Sequence, residues 1–130
     1  MNKIIVLFVI VLNVICIAAG AQTKKPAHPA QAMPDMFVND ILKAMKNQYG
    51  DDGKLSIIQG AVKNNTDGLT VNQELRLLNQ FSNDDSKLEC AKFLYAWSVD
   101  YKNYAKIQYN LNTTNAQKAL NDYIKKQGGK

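Results

Sequence analysis

A self-similarity with a period of 33 residues limits what this chain can fold into more than any other feature. Val38, Asn39, Leu42 and Met45 return as Val71, Asn72, Leu75 and Leu78. Asp51, Asp52, Lys54 and Leu55 return as Asp84, Asp85, Lys87 and Leu88, and Asp67 returns as Asp100. A unit of that length is one helical hairpin, too small to bury its own apolar face. Two units and a degenerate third therefore stack into one core.

The apolar spacing agrees with helices throughout. Phe37, Ile41, Leu42 and Met45 form one stripe, with Asp35 as a cap. Leu55, Ile58, Ala61 and Val62 form a second, and Val71, Leu75, Leu78 and Phe81 a third. Thr70 and Gln73 have the capping-box spacing, in which hydroxyl and amide satisfy the unpaired donors of a helix start. Ser86 to Val99 is apolar on most sides, the mark of a central helix. Tyr104, Ile107 and Leu111 give a short fifth helix. Ala116, Ala119, Leu120, Tyr123 and Ile124 give a sixth, capped by Thr113 or Thr114 and ended by Gly128-Gly129. The expected fold is all-α, a compact domain of five to six helices over residues 36–127, built from hairpin repeats of about 33 residues. Residues 128–130 are expected to be a disordered tail.

The chain has 130 residues and is 46% hydrophobic, but that average hides two different parts. The first 21 residues hold a positive start at Lys3, an apolar run from Ile4 to Ala19, and the small-x-small site Ala19-Gly20-Ala21. That layout is a secretory signal peptide over residues 1–21. Its removal leaves no membrane span. Export to a periplasm or to the outside follows. Cys90 then stands alone in the mature chain, without an intramolecular partner, and reads as a small buried hydrophobe. Residues 22–35 carry Pro26, Pro29 and Pro34 among alanines and read as an extended Pro/Ala linker. His28, the only histidine in the chain, is expected to be solvated there.

Further residues carry a family resemblance. Lys54-Leu55, Gly68-Leu69-Thr70-Val71-Asn72-Gln73, Phe81-Ser82-Asn83-Asp84-Asp85-Ser86-Lys87-Leu88, Ala91-Lys92, Tyr95, Asp100 and Asn103-Tyr104 follow in order. From about Met36 to Ile124 the chain resembles the domain of unknown function family numbered 4476, made of small, mostly bacterial, exported helical domains. The resemblance implies export and an all-helical fold. It carries no activity and no site.

The inventory for chemistry is short. The folded region has no histidine, no cysteine pair, no phosphate-cradling glycine loop and no Gly-x-Ser-x-Gly elbow. Nucleophilic engines built on a histidine base are thereby excluded, as is a zinc site. Asp51-Asp52 and Asp84-Asp85 sit where helices begin, so they read as capping groups rather than as an acid/base pair. No catalytic residue and no cofactor are expected. The alternative is calcium. Asn65, Asp67 and Glu74 fall on positions 3, 5 and 12 of a cation loop counted from Lys63, but Lys63 stands where an aspartate belongs.

Beyond the leader 15 basic residues face 11 acidic ones, with lysines dispersed and Arg76 the only arginine. That balance suits weak attraction to an anionic envelope polymer and argues against nucleic acid. Trp97, Tyr101 and Tyr104 cluster where the fourth and fifth helices meet, and are the candidates for a contact with a protein or polymer. The sequence thus leads to an exported, non-catalytic interaction module.

Overall fold

A computed structural model describes residues 26–129. The leader expected over residues 1–21 lies outside them, as does Lys130.

Among the described residues five α-helices and one 3-10 helix follow one another as α1 (Asp35–Lys46), α2 (Asp51–Lys63), α3 (Val71–Leu78), α4 (Asp84–Tyr95), the 3-10 helix Tyr101–Asn110 and α5 (Thr114–Lys126). They pair as three hairpins. α2, α4 and α5 form one row, while α1, α3 and the 3-10 helix form the second. The domain is all-α. Among the described residues there is no strand, only two isolated parallel bridges, Ala32 with Gly68 and Leu69 with Ser98.

The apolar stripes dictate which faces are buried. Val38, Ile41 and Met45 of α1 meet Leu55, Ile58 and Val62 of α2 in one core with Leu77, Leu78, Cys90, Leu94, Tyr104, Ile107, Leu120 and Ile124. Each large apolar side chain of this kind contributes about 1.5–3 kcal/mol when withdrawn from water. α3 begins with the expected capping box: Gln73 N–H donates to the Thr70 hydroxyl at 3.2 Å, and Thr70 N–H donates to Gln73 Oε1 at 3.0 Å. α5 is capped by Thr113, whose hydroxyl accepts from Ala116 N–H at 3.3 Å.

The period has a physical meaning at the helix starts. Asp51 opens α2, and its carboxylate accepts from the Ser82 N–H, at 3.1 Å, and from the Ser82 hydroxyl, just ahead of α4. Asp84 opens α4 and accepts from Asn112 N–H at 2.9 Å and Thr113 N–H at 2.7 Å, just ahead of α5. The lysine three residues on completes each staple. Lys54 Nζ donates to the Gln80 carbonyl at 2.6 Å, and Lys87 Nζ to the Asn110 carbonyl at 3.3 Å. These aspartates therefore fasten the next hairpin rather than cap their own helices. The third hairpin carries Thr114 and Gln117 in the places of the aspartate and the lysine. Gln117 turns back to the Leu111 carbonyl at 2.9 Å, and the series of staples ends there.

Two stretches differ from the sequence expectation. α4 stops at Tyr95 instead of Val99, because Trp97–Val99 leaves the helix to pair with Leu69: Leu69 N–H donates to the Trp97 carbonyl and Val99 N–H to the Leu69 carbonyl, both at 2.9 Å. The segment Pro26–Pro34 has no helix, yet its C-terminal part is not a free tether. Met33 is buried and donates its N–H to the Gly68 carbonyl at 2.7 Å, while Gly68 N–H donates to the Gln31 carbonyl at 2.8 Å. Gln73 Nε2 holds the Met33 carbonyl at 2.9 Å. Gly68 is required there: a Cβ would strike the Trp97 carbonyl oxygen and come within 2.9 Å of Pro29.

Candidate functional site

The docked segment builds an aromatic corner. Pro26 and Pro29 keep this stretch out of a helix, so it lies extended across the connectors after α2 and α4. That path sets His28 flat on Tyr101, ring centroids 3.8 Å apart and planes within 7°. Tyr95, the last residue of α4, meets His28 edge-on at 5.1 Å. Tyr95 also meets Tyr104 at 5.0 Å and Tyr123 at 6.2 Å, both edge-on. One run of rings thus connects the surface to the core, and its edge-on pairs through Tyr95 have the geometry that the ring quadrupole favours.

His28 is therefore half-buried, contrary to the solvated side chain expected from a linker. Burial lowers its pKa from the ordinary histidine value, because the charged imidazolium loses water there. The signal for this docking was present in the sequence as Met33, an apolar anchor in an otherwise polar, proline-punctuated stretch.

The three aromatic candidates separate. Tyr101 is 36% exposed and opens the 3-10 helix. Trp97 is half-buried, tilted against Phe93 at 6.5 Å. Tyr104 is fully buried, its hydroxyl donating to the Ala91 carbonyl, so it is a core residue and not a contact residue. Its place on the inward side of the 3-10 helix, with Ile107, decides this.

Beside Tyr101 lies a recess of about 470 Å³ lined by Tyr101, Lys102, Gly128 and Gly129. The end of α5 shapes it. Gly128 takes a positive φ of 84°, which glycine adopts without strain. Gly128 N–H then reaches the Lys125 carbonyl at 3.0 Å and Gly129 N–H the Ile124 carbonyl at 2.9 Å. The two glycines, expected in a disordered tail, are folded back onto the helix. A Cβ at Gly129 would strike the Ile124 side chain and approach the Tyr95 hydroxyl at 2.9 Å. Lys102 is exposed at the rim. An aromatic face held flat beside a cation suits a ligand with negative charge and some apolar surface.

The residues proposed for calcium do not converge. Asn65 and Asp67 share a turn, in which Asp67 N–H donates to Asn65 Oδ1 at 3.0 Å. Glu74, which would have to close the shell, is fully buried, with Ser98 Oγ donating to its Oε2 across 3.4 Å and Oε1 unpaired. Among the described residues no three of His, Cys, Asp and Glu meet at a point that would hold a metal.

Glu74 is the most unusual group in the interior. Burial pushes its carboxyl well above the usual range, and the Asp100 charge adds to the push. The same surroundings raise the Tyr104 phenol and the Cys90 thiol, chiefly by burial. Cys90 is buried, as its apolar neighbours suggested, and its raised pKa makes it a poor nucleophile.

Hairpins stapled in series, ending in an aromatic recess, define a small all-α domain of repeat type. The chain belongs to the family described as Domain of unknown function (DUF4476), whose model matches residues 32–124. The match begins at Ala32, inside the docked segment. No curated protein and no solved structure matched the chain. No helix among the described residues is long and apolar enough to cross a membrane.

Proposed function

We propose that this protein is an exported, non-catalytic interaction module that makes contact at the Tyr101–Lys102 recess. The observation that carries this reading is the stacking of Tyr101 on His28 at the edge of that recess. A surface tyrosine usually moves between rotamers. One clamped against an imidazole presents a fixed face, and less conformational entropy is lost when a partner lands on it. Lys102 supplies the attraction for a negative group, as in an anionic envelope polymer or an acidic protein segment. The signal-like leader supports export.

Cross-linked pull-down from the native envelope tests the reading. Tagged protein is expected to retain a discrete partner that is lost from Tyr101→Ala and Lys102→Glu, while melting temperatures stay near the parent value. Turnover of an ester, peptide, glycan or phosphate substrate that disappears in Asp52 or Asp85 variants would contradict it.

A further inference from the structure

The first hairpin exposes an apolar face where a repeat stack is expected to be closed. Phe37, Ile41 and Ala44 of α1 and Ile57 and Ala61 of α2 line a mostly apolar groove of about 360 Å³ with Met33, alongside the polar Asp40, Asn64 and Asn65. Phe37 is 49% exposed and its neighbour Met36 68%. The end units of repeat proteins normally turn a polar face outward, because an apolar one seeks cover.

The internal repeat shows how such a face is covered elsewhere in the chain. Moved on by one period, Ile41, Ala44, Ile57 and Ala61 become Glu74, Leu77, Cys90 and Leu94, all fully buried. Asp40 becomes Gln73, which is covered by the Met33 carbonyl at 2.9 Å and by Asp35 at 2.8 Å. Asp35 opens the preceding hairpin and Met33 leads into it. The groove is thus the position of a preceding hairpin, and among the described residues none occupies it.

Its own surface fits it. Phe37 is a large, half-exposed side chain of the lining, and Ala44 and Ala61 are the smallest side chains in it. Large and small on one face are the two halves of a self-complementary contact about a two-fold axis. Charge sets the direction. α1 has Asp35 in its first turn, Asp40 at its middle, and Lys43 and Lys46 in its last turn. Two α1 helices that meet antiparallel bring Asp40 of each copy toward Lys43 of the other, whereas parallel helices bring like charges together. Asp40 and Lys43 are both exposed, and their pairing within one copy spans a loose 3.8 Å.

We infer that the α1–α2 groove is the interface of a homodimer, in which Phe37 of each copy fills the space over Ala44 and Ala61 of its partner. This surface is separate from the Tyr101 recess, so either reading can fail without the other.

Sedimentation velocity on the protein recovered after export, across micromolar concentrations, reads the outcome. A dimer is expected. Phe37→Asp should weaken it about tenfold or more. Ala61→Phe, which fills the hole, should do the same. Circular dichroism on Phe37→Asp should give a melt like that of the parent monomer, since that side chain is half exposed. Asp40→Lys should also weaken the dimer, and adding Lys43→Asp should restore it. A monomer at all concentrations overturns the inference. So does a dimer that survives both Phe37→Asp and Ala61→Phe.

Discussion

Asp51 and Asp84 lie one repeat apart, and each binds the backbone just ahead of the next helix in the α2–α4–α5 row. Burial by itself would raise the Asp51 carboxyl, but the hydroxyl and amide of Ser82 together outweigh it. At Asp84 the Asn112 amide leads, with Thr113 adding to it. Both pKa values therefore fall below the ordinary aspartate value. A depressed folded pKa gives stability that is present above the unfolded value and is lost as pH falls through the folded one. The double variant Asp51→Asn with Asp84→Asn should be less stable than the parent at pH 6. It should also lose less on going to pH 3. Urea midpoints at the two pH values check this.

Glu74 has the opposite sign. Its folded pKa is raised, so the neutral carboxyl is favoured in the fold, and stability falls as pH rises above the unfolded glutamate value. Glu74→Gln should flatten that decline between pH 5 and pH 8. Glu74→Leu combined with Ser98→Ala, which removes the unpartnered buried oxygen together with the hydroxyl that Glu74 accepts from, should stabilise by about 1–3 kcal/mol at pH 8, the cost of an unsatisfied buried polar group. Chemical denaturation of the parent and both variants at the two pH values separates the charge effect from the packing effect.

Tyr104 acts through the core. Tyr104→Phe removes a buried hydrogen bond and should cost about 1 kcal/mol. Tyr104→Ala should cost about 3–5 kcal/mol through the cavity it leaves. Pull-down of the envelope partner with the Phe variant should match that of the parent, unlike Tyr101→Ala.

Gly68 and Gly60 predict opposite outcomes for the same substitution. Gly68→Ala drives a methyl into the Trp97 carbonyl and Pro29, and should destabilise by about 1–3 kcal/mol. Gly60 lies inside α2 with open space around it, so Gly60→Ala should stabilise by about 0.5–1 kcal/mol. Thermal melts of the two single variants give the comparison.

Helix identity was legible in the sequence because each stripe has a 3.6-residue period and because Thr70, Gln73 and Thr113 cap by local chemistry. The repeat was legible too, although its staples were not. Asp51 and Asp84 stand at helix starts, where local reasoning assigns them to their own amides, while their partners lie about 30 residues ahead. The aromatic corner was legible by half. Spacing alone leaves Trp97, Tyr101 and Tyr104 equivalent, and only the packing of the 3-10 helix separates an exposed Tyr101 from a buried Tyr104. Docking of residues 26–34 has no periodic signal. It depends on one small residue, Gly68, and on the ring of Tyr101, both far along the chain from His28.

Photo-cross-linking in the native envelope tests the proposed contact most directly. A photoreactive phenylalanine is placed at position 101 in one strain and at position 109 in another, Tyr109 being the more exposed of the two at 80%. A discrete cross-linked species from position 101, and none from position 109, is the predicted result. Equal products from both positions, or a product from position 109 alone, would contradict the proposed contact.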